Sequence, residues 1–250
     1  MRRFLVDPRN IAGSLATLSG SEAHHIAAVL RLRPESSVEL IDGQGAVYQG
    51  HLESVSNTLV TVRLSSRRQE VEDTSPPLVL LQPLLKGKKM DVVVQKATEL
   101  GVHILQPLVT RYSEGRGNPE RQAERWERIM IEACKQCRRT QPMRIAPLTD
   151  FNGAPLPDTG PRLLFWEGES TVSLRPEHLS APGPVSLLLG PEGGLHEQEA
   201  EEAKALGFQP VSLGRRILRA ETATLAAVAI VQYLNGGLQA ADCPAPGRKS

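Results

Sequence analysis

Aromatic residues are scarce in this 250-residue chain: four Phe, three Tyr and two Trp. So few rings leave little for the stacking platform that generic single-strand binders use. Cysteine is scarcer, with only Cys134, Cys137 and Cys243. An odd, sparse set argues against a disulfide scaffold and for a reducing cytoplasm. No apolar run approaches the ~18–20 residues needed to span a bilayer, so no membrane helix is expected. The start, Met1-Arg-Arg-Phe-Leu-Val-Asp-Pro-Arg-Asn10, is basic, but neither an apolar stretch nor a small-residue cleavage site follows, so no secretory signal is expected. There is no Gly-x-Ser-x-Gly elbow, no His-Glu-x-x-His pair and no internal repeat. His24-His25 has no accompanying carboxylate cluster. Cys134-Lys-Gln-Cys137 falls late in a predicted helix with no second pair, whereas redox CxxC motifs sit at helix N-termini, so no metal site is expected.

Net charge is also nearly absent, at +1, but it is unevenly spread. Residues 1–75 carry 8 Lys/Arg against 9 Asp/Glu, residues 76–150 carry 13 against 8, and residues 151–250 carry 8 against 11. The middle third is therefore basic, in runs such as Lys86-Gly-Lys88-Lys89 and Arg138-Arg139. A local basic face can bind phosphates even on a neutral protein; a solvated helix face with interspersed signs is the alternative, and covers much of Glu120–Glu132.

Two textures follow one another along the chain. Up to about Val71 the segments are short and punctuated by turns: Val38–Ile41, Ala46–Val55 and Thr58–Leu64 read as strands, with one helix, Ser21–Leu30, placing Ile26, Val29 and Leu30 on its apolar face. This is a small β-rich, barrel-like domain. Gln69–Pro77, polar and ending in two prolines, is the linker candidate. Beyond it, apolar strands at Leu78–Gln82, Val102–Val109, Arg162–Trp166, Val185–Leu189 and Pro210–Leu213 alternate with helices at Lys88–Leu100, from Pro119 to about Arg139, at Glu197–Leu206 and at Glu221–Leu234. Such alternation indicates a parallel sheet covered on both faces. Asn118 and Pro119 supply an N-cap and a first-turn proline for the long helix. The tail 241–250 is expected to be disordered.

Two segments carry the chemistry. In Val185-Ser-Leu-Leu-Leu-Gly-Pro-Glu-Gly-Gly-Leu195 an apolar strand runs into a glycine-rich turn, which is where parallel sheets bind ligands. Glycines there let a ligand approach the backbone with no Cβ in the way. The turn matches neither GxGxxG nor GxxxxGK, and the helix after it opens with Glu197, Glu199, Glu201 and Glu202. Those acids would repel a pyrophosphate and favour a neutral or cationic ligand. A purely structural turn is the alternative. The second segment, Val211-Ser-Leu-Gly-Arg-Arg-Ile-Leu-Arg-Ala-Glu-Thr-Ala223, repeats strand, glycine turn and helix. Its helix is apolar almost all round and must be buried in a core or a subunit interface. Arg215, Arg216 and Arg219, if enclosed, would need a functional anion or a structural carboxylate such as Glu221.

These runs resemble the family of small-subunit ribosomal RNA uracil N3-methyltransferases, within the SPOUT class of knotted methyltransferases. The matching residues are Leu84-Leu-Lys-Gly-Lys-Lys-Met-Asp-Val-Val-Val-Gln-Lys-Ala-Thr-Glu-Leu-Gly101, Leu189-Gly-Pro-Glu-Gly-Gly194 and Leu213-Gly-Arg-Arg-Ile-Leu-Arg-Ala-Glu-Thr-Ala223. Arg3-Phe4, His25 with Val29-Leu-Arg-Leu32, and Asp42-Gly43 also fit, so the similarity reaches from the start to about Asn235. It implies an α/β fold: a PUA-like β-barrel RNA-binding domain over 1–74 and a SPOUT parallel-sheet domain with a trefoil knot over 75–240. It implies S-adenosylmethionine as cofactor, held by Phe165, Trp166, Glu167, Leu189, Gly190, Pro191, Glu192, Gly193, Gly194, Leu213, Gly214, Ile217, Leu218 and Thr222. By the same resemblance, the substrate is a specific uridine in 16S rRNA, in the decoding region of the small ribosomal subunit. Arg219 would stabilise the developing uracil anion and Glu221 would orient it or take the proton. RNA contacts would come from Arg3, His25, Arg31, Arg33, Gln136 and Arg139. A cytoplasmic homodimer, joined through the C-terminal domain, is implied too. At Cys134-Lys-Gln-Cys-Arg-Arg139 the chain departs from the family, where an acidic residue and a glycine are commoner. The alternatives are a 2′-O-methyltransferase of tRNA or rRNA, a noncatalytic RNA-binding assembly factor and, weakest, a phosphate-binding nucleotide enzyme.

Overall fold

A computed structural model describes residues 1–70, 75–114, 117–169 and 171–239. The tail 241–250 with Cys243, and part of the predicted linker, lie outside the described residues. The chain divides into two compact units, Met1–Glu72 with Ile131–Pro142 and Asp73–Met130 with Met143–Ser250. Where the sequence suggests a single boundary between 74 and 75, the structure returns the end of the long helix to the first unit.

The first unit is a six-stranded sheet built from β1 (Arg2–Leu5), β2 (Ile11–Ala12), β3 (Leu15–Ser19), α1 (Gly20–His24), β4 (Ser37–Ile41), β5 (Ala46–Val55) and β6 (Leu59–Gln69). Its order is β1-β4-β5-β6-β3-β2, antiparallel except for β1 beside β4. Alternation decides the buried face: Val60 and Val62 point inward from β6 and join Phe4, Leu18, Ile26, Leu40 and Leu52 in one core. β6 outruns its predicted end at Leu64 because Ser66–Gln69 pair with Ala46–Gln49 past a bulge at Gln49/Gly50. Backbone pairing, not burial, holds those polar residues, so periodicity does not reveal them. The predicted helix Ser21–Leu30 is α-helical only to His24. A π-helical turn, His25–Val29, follows, with Leu30 N–H donating to the His25 carbonyl at 2.8 Å. The wider turn keeps Ile26 inside but leaves Val29 62% exposed, so Val29 is not on the buried face as expected.

The second unit starts with β7 (Leu78–Pro83), α2 (Lys89–Glu99) and β8 (Ile104–Val109), then α3 (Pro119–Cys137). β9 (Arg144–Ile145), β10 (Thr149–Asp150), β11 (Arg162–Phe165), β12 (Val185–Leu188), α4 (Glu197–Ala205), β13 (Gln209–Val211) and α5 (Ala220–Asn235) complete it. Asn118 Oδ1 accepts from Arg121 N–H at 2.9 Å, so the predicted cap forms. α3 ends two residues before Arg139 because Arg138 takes a left-handed φ of 64°. All the strand pairs are parallel, in the order β10-β8-β7-β12-β11-β13 with β9 also on β8. β7 shows why the strands read as continuous apolar runs. Val79 and Leu81 meet Ala200 and Ala203 of α4 on one face, while Leu78 and Leu80 are buried on the other.

α5 covers that second face, packed beside α2. Its buried Thr224 donates to Gln82 Oε1 at 2.7 Å, one strand position beyond Leu80 on the same side. Gln232 Nε2 donates to the Leu100 carbonyl at 2.9 Å, just before Gly101 (φ 82°) closes α2. α5 is not buried all round, however: Ile230 and Tyr233 are 43% and 54% exposed. Thr224→Val would leave the Gln82 amide oxygen buried without its donor, and should lower unfolding free energy by about 1–3 kcal/mol in urea titrations. An unchanged midpoint would refute this role.

Candidate active site

In a parallel sheet every strand presents its carboxyl end to the same edge, and ligands bind there where the strand order reverses. Here the chain runs outward from β7 to β8 and β10, then returns to lay β12 against the other side of β7. At that edge lies a cavity of about 720 Å³. It is lined by Lys89 after β7, by Phe165–Glu167 and Glu169 after β11, by Leu189–Gly194 after β12, and by Val211–Ala220 and Ala223 around the last turn. All the residues expected to hold the cofactor line it except Thr222, which is exposed on the first turn of α5. Arg219 lines it as the N-cap of α5; Glu221 does not.

The glycine turn is dictated by close approach. Gly194 has φ 73°, and a Cβ on it would stand 1.7 Å from Glu167 Oε1, while a Cβ on Gly193 would stand 2.9 Å from Tyr112 Cβ. The Glu167 and Tyr112 side chains fill the space a Cβ would need, and Gly194 N–H donates to the Pro191 carbonyl at 3.0 Å. Glu192 is its anchor, accepting from Lys86 N–H at 3.0 Å and from Lys89 Nζ at 2.9 Å. Against the cost of burial, which raises its pKa, these donors hold the Glu192 carboxyl below the ordinary glutamate value. Lys89 Nζ also stands 3.9 Å from Glu221 Oε2, an oxygen that is buried and accepts no hydrogen bond among the described residues. Glu169 accepts from Thr171 Oγ1, Thr171 N–H and Val172 N–H, and these bonds pull its carboxyl down to about 2.

Several expectations change here. The acids that open α4 do not line the cavity: Glu199 is taken up capping α4 and accepting from Arg111 N–H. The carboxylates at the ligand site are Glu167, Glu169 and Glu192 instead. Arg215, Arg216 and Arg219 are exposed, not enclosed, and Glu221 lies beside Lys89 instead of pairing with them. Lys89 belongs to a run that reads from sequence as a phosphate-facing or solvated patch. Its inward placement follows from where β7 ends, which no local pattern reports.

The expected RNA residues fall in the first unit. Arg3, His25 and Gln136 line a separate cleft of about 670 Å³. Arg31 and Arg33 are exposed outside it, and Arg139 Nε donates to the Gln141 carbonyl at 2.6 Å. Arg3 is buried, its guanidinium 2.6–2.7 Å from Glu39 Oε2 and 2.6 Å from the Arg138 carbonyl. Lys135 is half-buried, with its side chain only 8% exposed, and is 2.7 Å from both Glu22 and Glu132. Burial opposes its charge, but the two carboxylates outweigh it and hold its pKa above the ordinary lysine value. Cys134 is a buried helix residue, and no group of three or more His, Cys, Asp or Glu side chains is assembled for a metal among the described residues.

Comparison with known proteins places these features in a family. Residues 72–232 match the RNA methyltransferase domain, and residues 18–65 the RNA methyltransferase PUA domain. The chain is 33% identical over 240 residues to the ribosomal RNA small subunit methyltransferase E of Synechocystis, covering 93% of this chain and 77% of that protein. The chain belongs to the ribosomal RNA small subunit methyltransferase E family. The Bacillus subtilis member is 29% identical over 230 residues, covering 87% of this chain and 89% of its own. The crystal structure of the Neisseria gonorrhoeae member, bound to S-adenosyl methionine, superposes with a TM-score of 0.83 at 30% identity, covering 94% of this chain and 98% of that one.

The Glu192 anchor is a pH-dependent one. A carboxyl whose folded pKa is depressed contributes stability above its ordinary value and loses it as pH falls through the lowered one. Glu192→Gln should therefore melt below the wild type at neutral pH, with the gap closing under acid conditions below the ordinary glutamate range. A gap that stays constant with pH would show that the charge on Glu192 does not contribute.

Proposed function

We propose that this chain methylates N3 of a specific uridine in the decoding region of 16S rRNA, using S-adenosylmethionine. The observation that carries the reading is the cavity at the carboxyl edge of the sheet, bounded by two glycine turns, in a family whose Neisseria member is solved with S-adenosyl methionine. The residues present fit that group. Gly190, Gly193 and Gly194 give a backbone cradle free of Cβ atoms, and Glu167, Glu169 and Glu192 supply the negative surroundings a sulfonium favours. Phe165–Glu167 and Leu213–Leu218 would hold it from the other sides.

When bound, S-adenosylmethionine supplies the methyl group. The protein's own tasks are to orient the base, exclude water and manage one proton. N3 of uracil has to lose its proton, and the resulting charge spreads onto O2 and O4. Arg219, exposed at the cavity rim with no carboxylate partner among the described residues, stabilises that charge. Glu221, beside Lys89 and outside the cavity lining, would take the proton through an intervening water. The RNA is bound through the first unit, where Arg31 and Arg33 stand exposed. No helix among the described residues is long and apolar enough to cross a membrane, and the proposed ribosomal RNA substrate supports a cytoplasmic location.

α5 supplies the homodimer surface: Thr222, Ala226, Ile230 and Tyr233 recur at helical spacing on its uncovered side. Ile230→Glu with Tyr233→Glu should convert a dimer to a monomer in sedimentation velocity; a wild-type monomer would refute this interface.

The reaction is tested with small subunits from a strain lacking the modification, followed by nucleoside mass spectrometry, with deproteinised RNA alongside. N3-methyluridine is expected. A 2′-O-methyl nucleoside would favour the related 2′-O-methyltransferases, and no product with no cofactor binding would favour an assembly factor. Arg219→Ala should lower transfer by roughly 10²–10³-fold while leaving cofactor affinity near wild type; undiminished turnover would remove Arg219 from the mechanism.

A further inference from the structure

The cleft in the first unit carries more than the three RNA candidates that line it. Five cationic side chains border it, yet three are spoken for. Arg3 is paired with Glu39, Arg68 lies 3.1 Å from Glu39 and 3.3 Å from Glu70, and Lys135 sits between Glu22 and Glu132. The remaining two, Arg2 and Arg138, are exposed, and their guanidinium groups make no hydrogen bond or ion pair among the described residues. Arg138 holds this place at φ 64°, a region that non-glycine residues enter at a cost and that recurs where function over-determines the backbone. The position is one where a glycine would be the unstrained choice. Arg3 fixes that strained turn by donating to the Arg138 carbonyl at 2.6 Å, so the buried Arg3–Glu39 pair serves as a scaffold behind two free guanidinium groups.

Beside these cations the cleft offers surfaces of another kind. His25 lines it with its ring edge-on to buried Phe4, centroids 6.3 Å apart, and with no hydrogen bond to its ring nitrogens among the described residues. Gln136, exposed one helical turn from Lys135's anchor, brings an amide that both donates and accepts. Two exposed guanidinium groups bordering one cleft with an imidazole and an amide suit one chemical unit: a phosphodiester with an unstacked base attached.

We infer that this cleft binds one unstacked nucleotide of single-stranded RNA, with Arg2 and Arg138 on its phosphates and His25 and Gln136 on its base. The inference rests on the proposed RNA substrate and refines it: Arg2 and Arg138 contact the phosphates, in place of Arg3 and Arg139, which the family resemblance names as RNA contacts. Arg3 is consumed by Glu39, and Arg139 is tied to the Gln141 carbonyl.

The test is a binding titration of the full-length protein with deproteinised 16S rRNA and with a uridine dodecamer, each at several salt concentrations. For single strands each neutralised phosphate contributes roughly 0.7 to the slope of log affinity against log salt. Arg2→Ala with Arg138→Ala should weaken binding at least tenfold and flatten that slope by about 1.4. Gln136→Ala should weaken binding while leaving the slope unchanged, because an amide contact releases no counterions. Arg63→Ala, an exposed arginine of the same unit already paired with Glu53, should change neither. Thermal melting and S-adenosylmethionine calorimetry on each variant separate lost contacts from lost folding. Wild-type affinity and slope in the Arg2/Arg138 variant would overturn the cleft while leaving the proposed function standing. Failure of the wild type itself to bind RNA would overturn both.

Discussion

The ligand-facing loops of the second unit owe their position to the parallel pairing of Leu78–Leu81 with Val185–Leu188. That ladder joins the outward half of the sheet, β8 and beyond, to the half formed by β11, β12 and β13. Because the pairing is parallel, the chain leaves β7, β11, β12 and β13 at one common edge. Residues as distant as Lys89 and Glu192 can then share an ion pair, and the two glycine turns can bound one cavity. Burial on both faces holds the ladder in register, since a slip by one residue would exchange the side covered by α4 with the side covered by α5.

The charges fall into two classes that differ in what they can do. The side chains of Lys135 and Arg3 are buried and paired, and removing a partner from such a pair would leave an uncompensated charge. They fasten the end of α3 to the first unit and set the turn at Arg138. Arg2, Arg138, Arg215, Arg216 and Arg219 stand in solvent instead, available to an anionic substrate. Lys89 is intermediate: half-exposed, it spends its charge on the glycine loop and on Glu221. Family resemblance points to positions, but the division between structural and available cations appears only when partners are known.

Much of the fold is legible in the sequence because its signals are local. The apolar strands Val185–Leu188 and Leu78–Pro83, the Asn118–Pro119 helix start and the glycine at 101 each state their own conformation through period, cap or φ. The signals fail where a distant partner decides. β1 has little pattern of its own and exists through β4, thirty-six residues on. The polar end of β6 is held by backbone pairing, and the turn at His25–Val29 widens to keep Ile26 in the core while releasing Val29.

By itself the sequence determined the two textures of the chain, the parallel α/β class of the larger one and the two glycine turns that border the cavity, because each is written within a few consecutive residues. Only the tertiary structure decided that the α4 acids stay out of the cavity while Lys89 enters it. It likewise decided that residues 131–142 belong with the first unit, and that Arg3 is a buried strut where the guanidinium groups of Arg2 and Arg138 have no partner among the described residues. The physical reason is the same in each case. The state of a charge depends on which carboxylate, carbonyl or solvent it meets, and those meetings join residues more than a hundred positions apart.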